Sequence, residues 1–98
     1  DVEKHSRYGL ALSEMSASLK KNLEIDNGVS VIGVEDGQAR NAGLRPGDVI
    51  LEVDGKRVSD IATFHRFLEH ASPHRPVVLR VRRGMTTLFL AIIAVEPT

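Results

Sequence analysis

The chain contains no cysteine. A disulfide framework and thiolate chemistry are thereby excluded, while the compartment is left open. Neither sign of charge is in excess, with Lys plus Arg and Asp plus Glu at 13 each. That balance argues against nucleic acid or a membrane surface as a partner. No apolar run reaches transmembrane length, and no signal peptide opens the chain. Internal repeats and low-complexity tracts are also missing. No serine sits in a Gly-x-Ser-x-Gly elbow, and no histidine stands in a triad setting. A free-standing enzyme is therefore not expected.

What remains is 98 residues, 42% of them apolar, which is enough chain for one domain with one modest core. Asp1 is no translation start, so the chain is expected to belong to something longer. Its most informative stretch runs from Asn41 to Gly55. Gly43 follows a helix-compatible run, where a left-handed C-cap is wanted. Pro46-Gly47 suits the centre of a type II turn, because proline presets φ and glycine accepts a positive one. Asp54-Gly55 reads as a tight hairpin turn after the apolar run Val49 to Val53. These are scaffold devices rather than catalytic chemistry.

Along the rest of the chain, Asp1 to Arg7 is polar and reads as a frayed linker end. Leu10 and Leu12 alternate with Ala11 and Ser13, which predicts a short strand reaching Glu14. Ser16 to Leu23 fits a helix or a loop. Asn27-Gly28 predicts a turn, Val29 to Val34 a strand and Gln38 to Ala42 a short helix. The clearest helix runs from about Asp60 to His70, with Ser59 or Asp60 as N-cap and Pro73 barring continuation. Its apolar stripe is Ile61, Phe64, Phe67, Leu68 and Ala71. Strands over Val77 to Arg82 and Thr86 to Val95 follow, joined by a hairpin turn at Arg83-Gly84-Met85. The expected class is α+β, with a largely antiparallel sheet of five or six strands capped by two helices.

Ala42-Gly43-Leu44, Gly47-Asp48-Val49-Ile50-Leu51 and Val53-Asp54-Gly55, together with Tyr8-Gly9-Leu10-Ala11-Leu12 upstream, resemble a PDZ domain. The resemblance covers nearly everything from Tyr8 to Ile93, and residues 8–95 are taken as the domain, with 1–7 as linker and 96–98 as tail. Gly9 to Leu12 match the family's Gly-Leu-Gly-Phe carboxylate-binding loop, departing from it at Ala11 and Leu12. Asp1 to Arg7 is too polar for the strand that precedes this loop in animal-type members, and an apolar strand closes the chain instead. That order resembles the circularly permuted PDZ of bacterial and organellar proteases, a small β-sandwich or partly open barrel. The tail from Arg83 to Leu90 is most similar to the Do-like (HtrA/Deg) serine proteases, especially the second, C-terminal PDZ of the DegP/DegQ type. Tail-specific proteases, intramembrane metalloproteases and secretion-system components carry similar modules.

The resemblance implies a non-catalytic, cofactor-free module of a periplasmic serine endopeptidase. Its partners would be peptide C-termini or unfolded protein segments, and the protease and other PDZ domains of the same parent chain in an oligomer. A peptide would add to the sheet between strand Leu10–Glu14 and helix Asp60–His70. Backbone N–H groups at Gly9, Leu10 and Ala11 would form an anion nest for its carboxylate. Tyr8 precedes that loop, and Arg7 would add positive charge. Leu10, Leu12, Phe64 and either Phe67 or Leu68 would line the pocket for the last side chain, with Thr63 or His65 flanking the groove. Each of Leu10, Leu12, Phe64 and Leu68 also suits a plain core position.

Other constellations are weaker. His70 and His74 have a helical metal spacing, but Pro73 lies between them and no metal site is expected. Asp48 and Asp54 read as turn residues beside glycines rather than as a carboxylate pair. Arg80, Arg82 and Arg83 form the one basic cluster, which reads as a solvated edge face or as a contact between subunits or domains. A mainly structural module, promoting oligomer or cage assembly with a weak or occluded groove, is the competing function.

Overall fold

A computed structural model of the chain describes residues 2–3, 9–71 and 75–93. The strands are β1 (Val2–Glu3), β2 (Leu10–Glu14), β3 (Val29–Val34), β4 (Val49–Val53), β5 (Lys56–Arg57), β6 (Pro76–Arg83) and β7 (Thr86–Ile93). The helices are α1 (Ala17–Leu23), α2 (Gln38–Ala42) and α3 (Ile61–Glu69). The strands form one antiparallel sheet in the order β1-β2-β3-β4-β6-β7, with β5 off this path on β4. The two ends of the sheet do not pair, so the barrel is open. The apolar strand expected over Thr86 to Val95 is β7, which pairs with β6 from Arg83↔Thr86 to Pro76↔Ile93. Val95 lies outside the described residues, as do the tail 96–98 and His74.

Alternation buries one face of β2 and of β6, while β4 buries residues on both faces. Val77, Leu79 and Val81 of β6 join Leu10 and Leu12 of β2, Val31 of β3 and Ile50 of β4 in the core. α3 covers this face with Ile61, Phe64 and Leu68, spaced as a helical stripe requires. Ser16 caps α1, its hydroxyl accepting from the Leu19 N–H at 3.1 Å, so the segment read as helix or loop is a helix. Asp60, not Ser59, caps α3, accepting from the Thr63 N–H at 2.8 Å.

The scaffold stretch folds as its residues dictate. Gly43 closes α2 at φ 108°. Gly47 takes φ 96° inside a turn closed by the Asp48 N–H donating to the Arg45 carbonyl at 3.1 Å. Backbone bonds to Val31 at 2.8 Å fasten that turn to β3. Asp54 and Gly55 both have positive φ, as a two-residue turn between β4 and β5 demands.

Three expectations change. Val2–Glu3 pairs with β2, with Val2 opposite Ser13 and Glu3 opposite Leu12. A backbone ladder needs no apolar pattern, so polarity did not bar this strand. Asn27-Gly28 is no turn. It enters β3 as irregular chain, and the Asn27 side-chain amide donates to the carbonyls of Leu51 (2.9 Å) and Val58 (3.2 Å). The basic cluster is not one solvated edge face: β6 is an interior strand, and although Arg80 is exposed and pairs with Glu52 at 3.2 Å, Arg82 donates to the Leu23 carbonyl at 2.9 Å and Arg83 binds Asp48.

Candidate peptide-binding site

Among the described residues, β2 has β3 on one side and the two-residue β1 on the other. α3 packs against both β2 and β4. The space between the outer edge of β2 and α3 is the candidate groove. At its far end the Glu14 carboxylate accepts from the Ile61 N–H at 3.2 and 3.3 Å. That bond ties the end of β2 to the first turn of α3 and satisfies a donor the helix leaves open. At the near end the chain enters β2 through Gly9, at φ 77°. A β-carbon there would stand 3.2 Å from the Glu35 carbonyl oxygen and 3.3 Å from that of Asp36. The Gly9 carbonyl accepts from the Glu35 N–H at 2.8 Å, which holds the loop against the end of β3.

The expected site residues separate into groups. Tyr8 and Arg7 lie outside the described residues. Gly9, Leu10, Ala11 and Leu12 form the loop and the start of β2, with a bulge in the β2–β3 ladder between Ala11 and Leu12. Leu10, Leu12, Phe64 and Leu68 are all buried core residues, at 0, 0, 0 and 2% exposure. They belong to the core where α3 packs against β2.

Phe67 is one of the two alternatives for the groove-lining position. It lines a cavity of about 210 Å³ with Val53, Asp54 and Ala71, and Lys56 Nζ lies 5.6 Å from its ring centre. Its flank of α3 therefore faces β4 and β5. Of the two alternatives, Leu68 is the one beside β2, because successive residues turn about 100° around a helix. Thr63 is one of the two residues expected to flank the groove. It shares the Phe67 flank, and its hydroxyl lies 3.3 Å from that of Ser59 within the α3 cap. His65 falls roughly 160° around the helix from Phe67, on the flank toward β2. It is half-buried, with its ring centre 5.7 Å from that of Phe64.

Among the described residues, two ionisable groups are clearly shifted. Hydrogen bonds from the Thr63 side chain and then its backbone hold the Asp60 carboxyl below the usual carboxylate range. The Asp48 hydrogen bond raises the Arg83 guanidinium above its ordinary value. Among the described residues, no group of three or more His, Cys, Asp or Glu is placed to hold a metal ion. None of the described helices is long and apolar enough to cross a membrane.

A family model described as PDZ domain matches residues 29–83. The chain belongs to the PDZ domain family. Similarity to individual relatives and solved structures covers still more of this PDZ chain. A probable periplasmic serine endoprotease DegP-like from Marinomonas sp. (strain MWYL1) is 36% identical over 87% of this chain and 18% of its own length. The corresponding protein of Pseudomonas putida (strain W619) is 33% identical over 93% of this chain and 19% of its own. The chain thus spans about a fifth of the length of the curated relatives it matches. Among solved structures, the HtrA3 PDZ domain bound to the phage-derived ligand FGRWV superposes with TM-score 0.76 at 26% identity, covering 88% of this chain and 81% of that one. The HtrA-type protease AlgWS227A with decapeptide gives TM-score 0.82 at 29% identity, covering 92% and 29%. The fold is that of the PDZ domains of HtrA-type proteases, open sheet included.

Proposed function

We propose that this PDZ domain binds peptide C-termini or unfolded segments for a DegP-like serine endopeptidase, by adding the peptide as a strand to β2. The observation that supports it best is the outer edge of β2, walled by α3 and already paired antiparallel with a short segment at Leu12 and Ser13. Main-chain bonds there supply affinity without reading sequence. The turn at Gly9 would receive the terminal carboxylate. Leu10, Leu12, Phe64 and Leu68 would set the floor for the last side chain, and His65 the wall. Similar solved structures carry peptides. The relatives are named periplasmic, and the same location is proposed here. The chemistry would lie in a separate protease domain of the parent, so this chain alone should leave unfolded casein intact.

The test is a titration of labelled chain with one peptide in two forms, both ending in a small or medium apolar residue. One has a free carboxylate and the other is amidated. Hydrogen bonds to a charged acceptor are worth about 1.5–3 kcal/mol, so amidation should weaken binding roughly tenfold or more. Amide shifts should centre on Gly9 to Glu14 and α3. Equal affinity for both forms would replace C-terminal by internal-segment recognition.

An assembly role in the parent protease is the second reading. It is favoured by the outer face of the β6–β7 hairpin, where Phe89 (67%), Val78 (42%) and Ile93 (39%) are exposed together. Loss of oligomer in the parent on Phe89→Glu, with peptide binding intact, would select it.

A further inference from the structure

We infer that β1 is an internal competitor for the groove, so that a peptide must displace Val2–Glu3 before it can pair with β2. The inference rests on the strand-addition reading above and names how that site is regulated.

A strand has two hydrogen-bonding edges, and β3 uses one edge of β2 from Leu10↔Val34 to Glu14↔Val29. The other edge is the one an added peptide needs, and β1 is paired along it at Leu12 and Ser13. The pairing is antiparallel, so β1 runs toward the Gly9 turn as an added peptide would. Unlike a peptide that ends there, the chain continues beyond Glu3 through residues 4–8 to Gly9, with no terminal carboxylate to offer. β1 therefore has the direction of a ligand and lacks its end group.

The energetics suit a gate rather than a permanent block. Two residues of ladder are worth little, because each net hydrogen bond contributes only modestly in water. The short connection to β2 offsets this by holding the segment at a high effective concentration. A free C-terminal peptide adds further ladder bonds and a charged end, so it can win. An unrelated extended segment without that end gains much less over β1. The gate would thus favour true C-termini over internal segments.

Two changes test this in the full chain. Val2→Pro with Glu3→Pro removes both N–H donors from β1. Affinity for the free-acid peptide should rise roughly three- to tenfold, the worth of one or two ladder bonds. Val2→Cys with Ser13→Cys places two thiols on directly opposed residues, in a chain with no other cysteine. Mild oxidant should link them, since opposed strand residues lie within disulfide reach. The linked form should lose peptide binding, and reductant should restore it.

Failure of the disulfide to form would overturn the pairing itself. Unchanged affinity in the proline variant, or full binding by the linked form, would overturn the competition. If the link forms but neither the reduced form nor the original chain binds any peptide, the peptide-binding reading falls, and this gate with it.

Discussion

Arg83 holds Asp48 in a two-pronged grip, with Nε 2.8 Å from Oδ1 and Nη2 2.8 Å from Oδ2, across 35 residues of sequence. Asp48 is 1% exposed, and its Oδ2 also accepts the Arg45 N–H at 3.0 Å. Arg83 Nη2 reaches on to the Gly43 carbonyl at 2.9 Å. One side-chain pair thus joins the C-cap of α2, the turn before β4 and the end of β6. Planar fork geometry matches carboxylate, so lysine is a poor replacement.

Asp48→Ala should therefore destabilise the fold. Hydrogen bonds to charged groups are worth about 1.5–3 kcal/mol, and the part-buried Arg45 N–H and Arg83 guanidinium would lose their acceptor. For a domain of this size each kcal/mol moves the melting temperature by roughly 4–8 °C. A melt within a degree of the unaltered chain would show the pair to be idle. Peptide affinity, measured below the melt, should not change.

Phe64→Ala removes the largest fully buried side chain, at the junction of α3 with β2. The expected loss is about 3–5 kcal/mol, a large part of the ~5–15 kcal/mol that holds a small domain together. Denaturant unfolding measures it. A midpoint like that of the unaltered chain would mean the ring is not in the core.

Gly9→Ala tests the loop. The positive φ costs an L side chain roughly 1–2 kcal/mol, and the β-carbon would press on two carbonyl oxygens. Stability should fall modestly while peptide affinity falls more, because in the proposed binding mode the turn itself receives the carboxylate. Equal peptide binding would remove Gly9 from the site.

Phe67→Ala separates the two flanks of α3. Phe67 faces Lys56 and the β4–β5 turn, so its loss should lower stability and leave peptide affinity unchanged. A selective loss of affinity would return Phe67 to the groove.

Acid should loosen the start of α3. A carboxyl whose folded value is depressed stabilises the fold above its unfolded value, near 3.8 for Asp60, and that contribution is lost as pH falls through the folded value. Exchange protection of the Thr63 amide, which donates to Asp60, should be flat from neutral pH to about 5 and decline below about 4. Asp60→Asn should abolish this pH dependence while keeping a cap. A decline centred near neutral pH would assign it to another group.

Most of the elements were readable from local patterns. Alternating apolar residues set β2 and β6, short apolar-rich segments set β3 and β4, and the stripe at Ile61, Phe64 and Leu68 set the inward face of α3. The glycines at 43, 47 and 55 set the turns, because these signals act over a few residues and need no partner. The family, too, was legible in Gly9 to Leu12 and Ala42 to Gly55. Tertiary structure alone decided what depends on distant partners. Periodicity left Phe67 and Leu68 as equals until β4 and β5 took one flank of α3. Arg83 read as surface charge until the β6 register brought it to Asp48. The polar start of the chain became a strand because an open edge on β2 offered it a ladder. Local sequence limits which conformations a segment can adopt. Which of them it keeps depends on the backbone groups and charges that the fold brings beside it.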